Sequence, residues 1–164
     1  MISNDPSAWI VLVIDDDADN LEVAQAVLKF NGSTVHTATN GVHALEVLKD
    51  MDELPTLVLA DLSMPQMSGW DLLKNMRADE RLKGIPVIAL TAHAMSDDRD
   101  RVFEAGFDGY ITKPFWIHTL LNDIRRSLSK LDAAEDGDEK KDSKSKKGQP
   151  PAQEGKYSKE DSDY

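Results

Sequence analysis

The 164-residue chain contains no cysteine, so disulfide frameworks, thiolate metal sites and thiol nucleophiles are excluded. It also lacks a long hydrophobic run. The longest purely apolar stretch, Ala8 to Ile14, is far too short to cross a bilayer. The N-terminus has none of the basic residues that open a secretory signal. These absences favour a cytoplasmic protein that does not enter a membrane.

Positive charge is scarce as well. The formal net charge is -11, and residues 1–131 carry 20 acidic against 12 basic side chains. A surface of this sign repels the backbone of nucleic acids and the headgroups of anionic lipids. We therefore expect no direct binding to nucleic acid or to a membrane.

The C-terminal part of the chain lacks large apolar residues. Residues 132–164 include 10 acidic residues and 7 lysines, but no Val, Ile, Leu, Met, Phe or Trp. Such a segment buries too little apolar surface to offset the entropy lost on ordering. The composition predicts a globular domain over residues 1–131 and a disordered charged tail over 132–164.

Residues 1–131 alternate between two patterns. Short runs rich in β-branched residues predict strands at 9–14, 33–39, 56–60, 86–90 and 109–113. Apolar residues at helical spacing predict helices at 19–30, 40–51, 69–77, 97–105 and 116–131. Five strands that alternate with five helices indicate the α/β class, with a doubly wound parallel sheet.

Reactive side chains follow four of the predicted strands. Asp15 and Asp16 end the first strand, Asp61 the third, Thr91 the fourth and Lys113 the fifth. Because parallel strands end at one edge of the sheet, these groups are expected to converge there. Oxygen ligands without nearby His or Cys select Mg²⁺. Beside this ion Asp61 can attack phosphorus, with Lys113 supplying charge and Thr91 a hydroxyl.

The segments around these positions resemble a two-component response regulator receiver domain. They are "VLVI" before Asp15 and Asp16, "LADLSMPQMSG" around Asp61, "ALTA" around Thr91 and "YITKPF" around Lys113. The resemblance implies a flavodoxin-like sheet of order 2-1-3-4-5. It also implies that Asp61 accepts a phosphoryl group from a sensor histidine kinase or a His phosphotransfer protein.

The same resemblance implies a ligand set for the ion. Asp16 and Asp61 would bind Mg²⁺ directly, with Mn²⁺ able to substitute, and Asp15 would assist. The backbone carbonyl of Ser63 would be the third protein ligand. Lys113 would pair with the carboxylate or the phosphoryl group, and the bond that follows it, to Pro114, would be cis.

The resemblance further implies a switch. Phosphorylation would draw the Thr91 hydroxyl inward, Tyr110 would follow, and the surface of the fourth helix, fifth strand and fifth helix would change its partner preference. Ser63 and His93 occupy positions that tune phosphoryl lifetime. The chain would be a signalling protein that catalyses only its own phosphorylation and dephosphorylation. Its downstream protein target is unknown, and it would act as a stand-alone receiver or be a fragment of a longer regulator.

Three alternatives remain at this point. Asp15, Asp17 and Asp19 match the first ligands of an EF-hand calcium loop, although Asn20 and Ala26 stand where Gly and Glu are required. Asp15 and Asp17 also resemble the opening of a haloacid-dehalogenase-type phosphatase, an enzyme with turnover in which Asp15 would be the nucleophile. The third alternative is a receiver-like scaffold that does not depend on phosphorylation.

Overall fold

The computed structural model describes residues 2–92 and 95–139, with the backbone alone for 135–139. Five strands and five α-helices alternate, after a short 3₁₀ helix at Pro6–Ala8. The strands are β1 (Ile10–Ile14), β2 (Thr34–Ala38), β3 (Leu57–Asp61), β4 (Val87–Thr91) and β5 (Gly109–Thr112). The helices are α1 (Ala18–Phe30), α2 (Gly41–Asp50), α3 (Gly69–Ala78), α4 (Ser96–Ala105) and α5 (Leu120–Glu139).

The strands form one parallel sheet of order β2-β1-β3-β4-β5. This confirms the α/β class, the doubly wound arrangement and the flavodoxin-like order. Each predicted strand agrees with the observed one to within one residue at either end. No helix in the described part of the chain combines the length and the apolar character that a membrane span requires.

Alternate residues of the central strands pack into opposite layers. Leu12 and Ile14 of β1 belong to the cluster that α2, α3 and α4 cover, whereas Val11 and Val13 belong to the cluster under α1 and α5. All four are 0% exposed. This burial on both faces explains why the central strands are continuously apolar in sequence.

The N-terminal segment packs against the α1 and α5 layer, an arrangement that the sequence patterns did not predict. The indole N–H of Trp9, which is 1% exposed, donates to the carbonyl of Ser3 at 2.6 Å. The buried hydroxyl of Ser33 donates to the carbonyl of Pro6 at 2.7 Å, and Ile2 packs on the same hydrophobic cluster. Residues before β1 are therefore part of the domain.

The fifth helix differs from its prediction at both ends. It begins at Leu120 rather than at residue 116, because residues 116–119 form a turn in which the amides of Thr119 and Leu120 donate to the Trp116 carbonyl. It continues to Glu139, so residues 132–139, which composition assigns to the tail, have helical backbone in the structure. Lack of apolar residues prevents burial, but it does not prevent a nucleated helix from propagating. Residues 140–164 lie outside the described residues.

Gly69 allows the loop after β3 to return directly to α3. Its amide donates to the Leu62 carbonyl at 3.1 Å. A β-carbon at this position would press against the Asp61 carbonyl oxygen, well inside contact distance, and would lie 3.0 Å from Leu62 Cα. The close approach involves backbone on both sides, so no side-chain rotation can relieve it.

We therefore expect Gly69→Ala to lower the free energy of unfolding by roughly 2–3 kcal/mol, the usual cost of overpacking. Urea titration of the variant would measure this loss. Gly84→Ala is the matched control, because a β-carbon there would meet no atom within 4 Å. If the two variants unfolded at the same urea concentration, a β-carbon at position 69 would be tolerated, and the proposed clash with the Asp61 and Leu62 backbone would be incorrect.

Candidate functional site

The ends of four strands bring the candidate site residues to one edge of the sheet. Asp15 and Asp16 follow β1, Asp61 closes β3, Thr91 closes β4 and Lys113 follows β5. One oxygen from each of Asp15, Asp16 and Asp61 lies within 4.8 Å of the others. Asp16 is exposed, whereas Asp15 and Asp61 are buried. The edge therefore holds a carboxylate cluster that is open to solvent on one side.

Lys113 joins the two buried carboxylates. Its ammonium lies 2.6 Å from Asp15 Oδ2 and 3.0 Å from Asp61 Oδ2. The lysine side chain is 15% exposed, so both contacts are shielded from bulk water. The bond from Lys113 to Pro114 is cis, which confirms the implied isomer.

The remaining oxygens of these carboxylates are held by the backbone. Asp15 Oδ1 accepts the amide of Asp17 at 3.0 Å, and Asp61 Oδ1 accepts the amide of Ser63 at 3.1 Å. Asp15 Oδ2 is buried, and its described partner is the Lys113 ammonium, 2.6 Å away. Three clustered carboxylates, one of them exposed, fit a site for a divalent cation.

The pKa of Asp61 is raised overall from 3.8 to about 6. Burial is the main cause and the charge of Asp15 adds to it, while the hydrogen bonds from Lys113 and Ser63 oppose the rise. For Lys113, burial acts to lower the pKa. The hydrogen bonds and charges of Asp15 and Asp61 outweigh that effect, so the pKa of the ammonium is raised overall. The lysine therefore stays charged at neutral pH.

The raised pKa of Asp61 predicts a pH dependence of stability in the absence of divalent cations. Folded protein binds this proton more tightly than unfolded protein does, so the contribution of Asp61 to stability falls as pH rises from 3.8 to about 6. We expect a fall of about 2 kcal/mol across this window, which Asp61→Asn should lack. Urea titrations of both proteins in EDTA at several pH values would measure it. Parallel pH profiles would contradict the assignment.

Thr91 and Tyr110 lie on the two strands nearest Lys113. Thr91 is 5% exposed, and its carbonyl accepts the Lys113 amide at 2.7 Å. The half-buried ring of Tyr110 meets Phe103 edge-on, with centroids 6.0 Å apart. The guanidinium of Arg99 lies 5.5 Å from the centre of the same ring. Tyr110 is thus turned toward α4.

Two of the acidic residues that follow β1 have local structural roles. The Asp17 carboxylate caps α1 and accepts the amide of Asp19 at 2.9 Å. Asp19 lies in the first turn of α1, where negative charge favours the helix dipole. Because Asp15 follows a strand and pairs with Lys113, the EF-hand alternative is excluded. His93 lies outside the described residues.

Sequence reasoning did not find the contact of Arg99 with Tyr110. The pair joins α4 to β5, and no local pattern marks a stacking arginine. It also did not identify the Asp17 amide as a donor to Asp15. Every residue except proline has a backbone amide, so the residue type does not show which amide donates. The first contact depends on how α4 packs beside β5, and the second depends on how the loop after β1 folds.

Comparison with known proteins gives a consistent result. The sequence profile of the response regulator receiver domain matches residues 11–125. The chain is similar to the sensor histidine kinase CheAY of Helicobacter pylori, with 38% identity over 125 residues, 76% of this chain and 16% of the relative. It is also 30% identical over 118 residues to the polar-differentiation response regulator DivK of Brucella anthropi, covering 72% of this chain and 94% of DivK.

The relatives differ in length. The chain is 35% identical over 127 residues to the response regulator Rre1 of Synechocystis, which is 77% of this chain and 54% of Rre1. It therefore spans about half of Rre1, a small part of CheAY and nearly all of DivK. The similarity to the longer relatives covers only part of each.

Solved structures share the fold. The chemotaxis response regulator CheY4 of Vibrio cholerae superposes with a TM-score of 0.67 at 27% identity, over 72% of this chain and 97% of CheY4. The signal receiver domain of a signal transduction histidine kinase from Syntrophus aciditrophicus gives a TM-score of 0.65 at 31% identity, over 76% and 92%.

Proposed function

The chain belongs to the response regulator receiver domain family, and from this premise we propose that it accepts a phosphoryl group on Asp61 and signals through protein contacts. Receiver domains are signalling proteins rather than ordinary enzymes. The observation that carries the proposal is the Lys113 ammonium, which contacts two buried carboxylates at the carboxyl edge of the sheet. This arrangement combines a shielded nucleophile with a fixed positive charge.

The carboxylate cluster fits Mg²⁺, or Mn²⁺ in its place. Asp16 and Asp61 would be direct ligands, Asp15 would assist, and the backbone carbonyl of Ser63 would complete the protein ligands. Support comes from the three carboxylates, which each place one oxygen within 4.8 Å of the others. When bound, the ion neutralises charge on the phosphoryl oxygens.

The chemistry at Asp61 is a single displacement at phosphorus. A carboxylate oxygen of Asp61 forms a bond to phosphorus as the bond to the donor breaks, and the donor leaves with the bonding electrons. With a phosphohistidine donor the leaving group is imidazole. With acetyl phosphate it is acetate, and in both cases the product is an acyl phosphate. Water later attacks the phosphorus, the bond from phosphorus to the Asp61 oxygen breaks, and inorganic phosphate leaves as the carboxylate is regenerated.

Two neighbouring residues act on the phosphoryl group. Lys113, which carries a full charge beside Asp61 Oδ2, would pair with a phosphoryl oxygen. The Thr91 hydroxyl would donate a hydrogen bond to another. In the proposed switch, Thr91 moves toward the phosphoryl group and Tyr110 follows inward. The surface formed by α4, β5 and α5 would then change its affinity for a partner.

CheY-like receiver domains interact with histidine kinases and with downstream targets. For this chain we propose that the donor is a sensor histidine kinase or a His phosphotransfer protein, and that the output is binding to a protein target. The net charge of -11 argues against nucleic acid and membrane as direct ligands. A cytoplasmic location agrees with such partners.

Intact-mass measurement after incubation with acetyl phosphate tests the proposed function. We expect one added phosphoryl group in the presence of Mg²⁺ and none in EDTA, because the metal-free site presents a negative cluster to an anionic donor. Beryllofluoride provides a stable mimic if the acyl phosphate is short-lived. If the protein neither gains a phosphoryl group nor binds beryllofluoride, the receiver-like scaffold that does not depend on phosphorylation is the correct account.

A further inference from the structure

The outer side of α1 carries apolar residues that the domain leaves partly or fully uncovered. One apolar stripe of this helix faces the core, as in any helix packed on a sheet. A second stripe at helical spacing, offset toward solvent, consists of Val23, Ala26 and Phe30. Phe30 is 91% exposed, although burying an aromatic side chain removes roughly 150–250 Å² from water. Contiguous apolar surface of this kind marks an interaction site.

A groove runs beside this stripe, between α1 and the turn formed by residues 116–119. It has a volume of about 640 Å³, and Val23, Val27 and Ile117 contribute apolar side chains to it. Ile117 is itself 62% exposed. Phe30 also borders the groove. The same face therefore presents a projecting aromatic side chain and an apolar recess.

A contact between two copies of a chain requires this combination. In a two-fold dimer each surface patch meets the same patch of the second copy, so the patch must offer both a projection and a recess that receives it. Phe30 of one copy would enter the groove of the other, and the reverse. An unrelated partner would need only one of the two features.

Charge on this face also fits a second copy. Glu22 and Lys29 are exposed and, being seven residues apart, lie on the same side of α1. Neither forms an ion pair within the described residues. When two α1 helices cross antiparallel near Ala26, Glu22 of each copy comes opposite Lys29 of the other. The two charges cancel on this face, whereas a chain with a net charge of -11 repels its own copy elsewhere.

We propose that two copies of the chain associate through this face, with α1 packed antiparallel against α1 of the second copy. The groove is lined by α1 and residues next to it, and by no residue of α4 or β5. The contact therefore goes beyond the proposed switch and does not depend on phosphorylation of Asp61. A face built on one helix and one turn is small, which is typical of weak interfaces. We expect a Kd on the order of 10 µM, equal with and without beryllofluoride.

Sedimentation velocity of the full chain over a range of concentrations tests the proposal. The wild type should shift from monomer to dimer as its concentration rises. Phe30→Ser should raise the Kd at least about tenfold, because it removes the projecting ring from both copies. Met95→Ser is the matched control. Met95 is a 70% exposed apolar residue at the start of α4, so this variant should leave the Kd unchanged.

Charge reversal distinguishes a second copy from any other occupant. Glu22→Lys should raise the Kd roughly tenfold, because it places like charges opposite each other at two symmetric positions. Lys29→Glu should have the same effect. The double variant restores both pairs with their signs exchanged, so it should dimerise about as tightly as the wild type. Glu22→Lys also lowers the net negative charge, so a general change in repulsion would strengthen association instead.

Three results would overturn the proposal. The first is a wild type that stays monomeric at concentrations well above the expected Kd. The second is a double variant that dimerises no better than the single variants, because α1 would then not face α1 of the second copy. The third is a dimer that forms only with beryllofluoride, since the contact would then depend on the switch. Intact mass scores phosphoryl incorporation separately, so failure of the proposed function would leave this test unaffected.

Discussion

Asp61→Asn is expected to lower phosphoryl incorporation from acetyl phosphate by at least about a thousandfold, since the substitution removes the attacking oxygen. An amide oxygen carries no charge and is a poor nucleophile. The other carboxylates are poorly placed to replace it. Asp15 is 0% exposed and pairs with Lys113 at 2.6 Å, and Asp16 lies on the exposed side of the cluster.

Asp17→Asn is the matched control for this experiment. It makes the same chemical change two residues beyond Asp15, but the Asp17 side chain caps α1 instead of joining the carboxylate cluster. Asparagine caps helices as well as aspartate does, so this variant should incorporate phosphate at the wild-type rate. Intact-mass time courses of the three proteins give the comparison. Incorporation by Asp61→Asn at a wild-type rate would rule out Asp61 as the acceptor.

Lys113→Met is expected to destabilise the metal-free protein by about 3 kcal/mol, because it leaves two buried carboxylates without a counter-charge. Both Asp15 and Asp61 lose their contact with the ammonium, and their mutual repulsion is no longer offset. Mg²⁺ should restore part of the loss, since it supplies positive charge to the same carboxylates. The stabilisation by Mg²⁺ should therefore be larger in the variant than in the wild type.

Thermal unfolding in EDTA and in Mg²⁺ measures both effects. Lys74→Met serves as the control, because Lys74 is exposed on α3 and makes no ion pair among the described residues. If Lys113→Met and Lys74→Met unfold at the same temperature in EDTA, the ammonium does not stabilise the carboxylate cluster. The proposed electrostatic role of Lys113 would then be incorrect.

The general position of the site could be predicted from the sequence for a physical reason. Parallel strands end at one edge of their sheet, so residues that follow apolar runs must meet there. Asp15, Asp61 and Lys113 are far apart in sequence, yet this rule alone brings them together. The rule does not give distances. It could not show that the closer of the two Lys113 contacts is to Asp15 rather than to Asp61.

The features that the sequence patterns did not predict depend on irregular turns or on helix propagation. Trp9 was correctly assigned to an apolar run, but its hydrogen bond to Ser3 requires a turn that no periodic pattern marks. Residues 132–139 were assigned to a tail because they lack large apolar side chains. Composition reports whether a segment can be buried, and a helix that is already packed at Leu128 can extend without burial.

Chemical trapping of the phosphorylated residue tests the central claim most directly. Borohydride reduces an acyl phosphate to an alcohol and so converts the modified aspartate into homoserine. After incubation with acetyl phosphate and Mg²⁺, peptide mass spectrometry should find homoserine at position 61 and at no other aspartate. Homoserine at position 15 or 16, or its complete absence from protein that has gained a phosphoryl group, would contradict Asp61 as the acceptor.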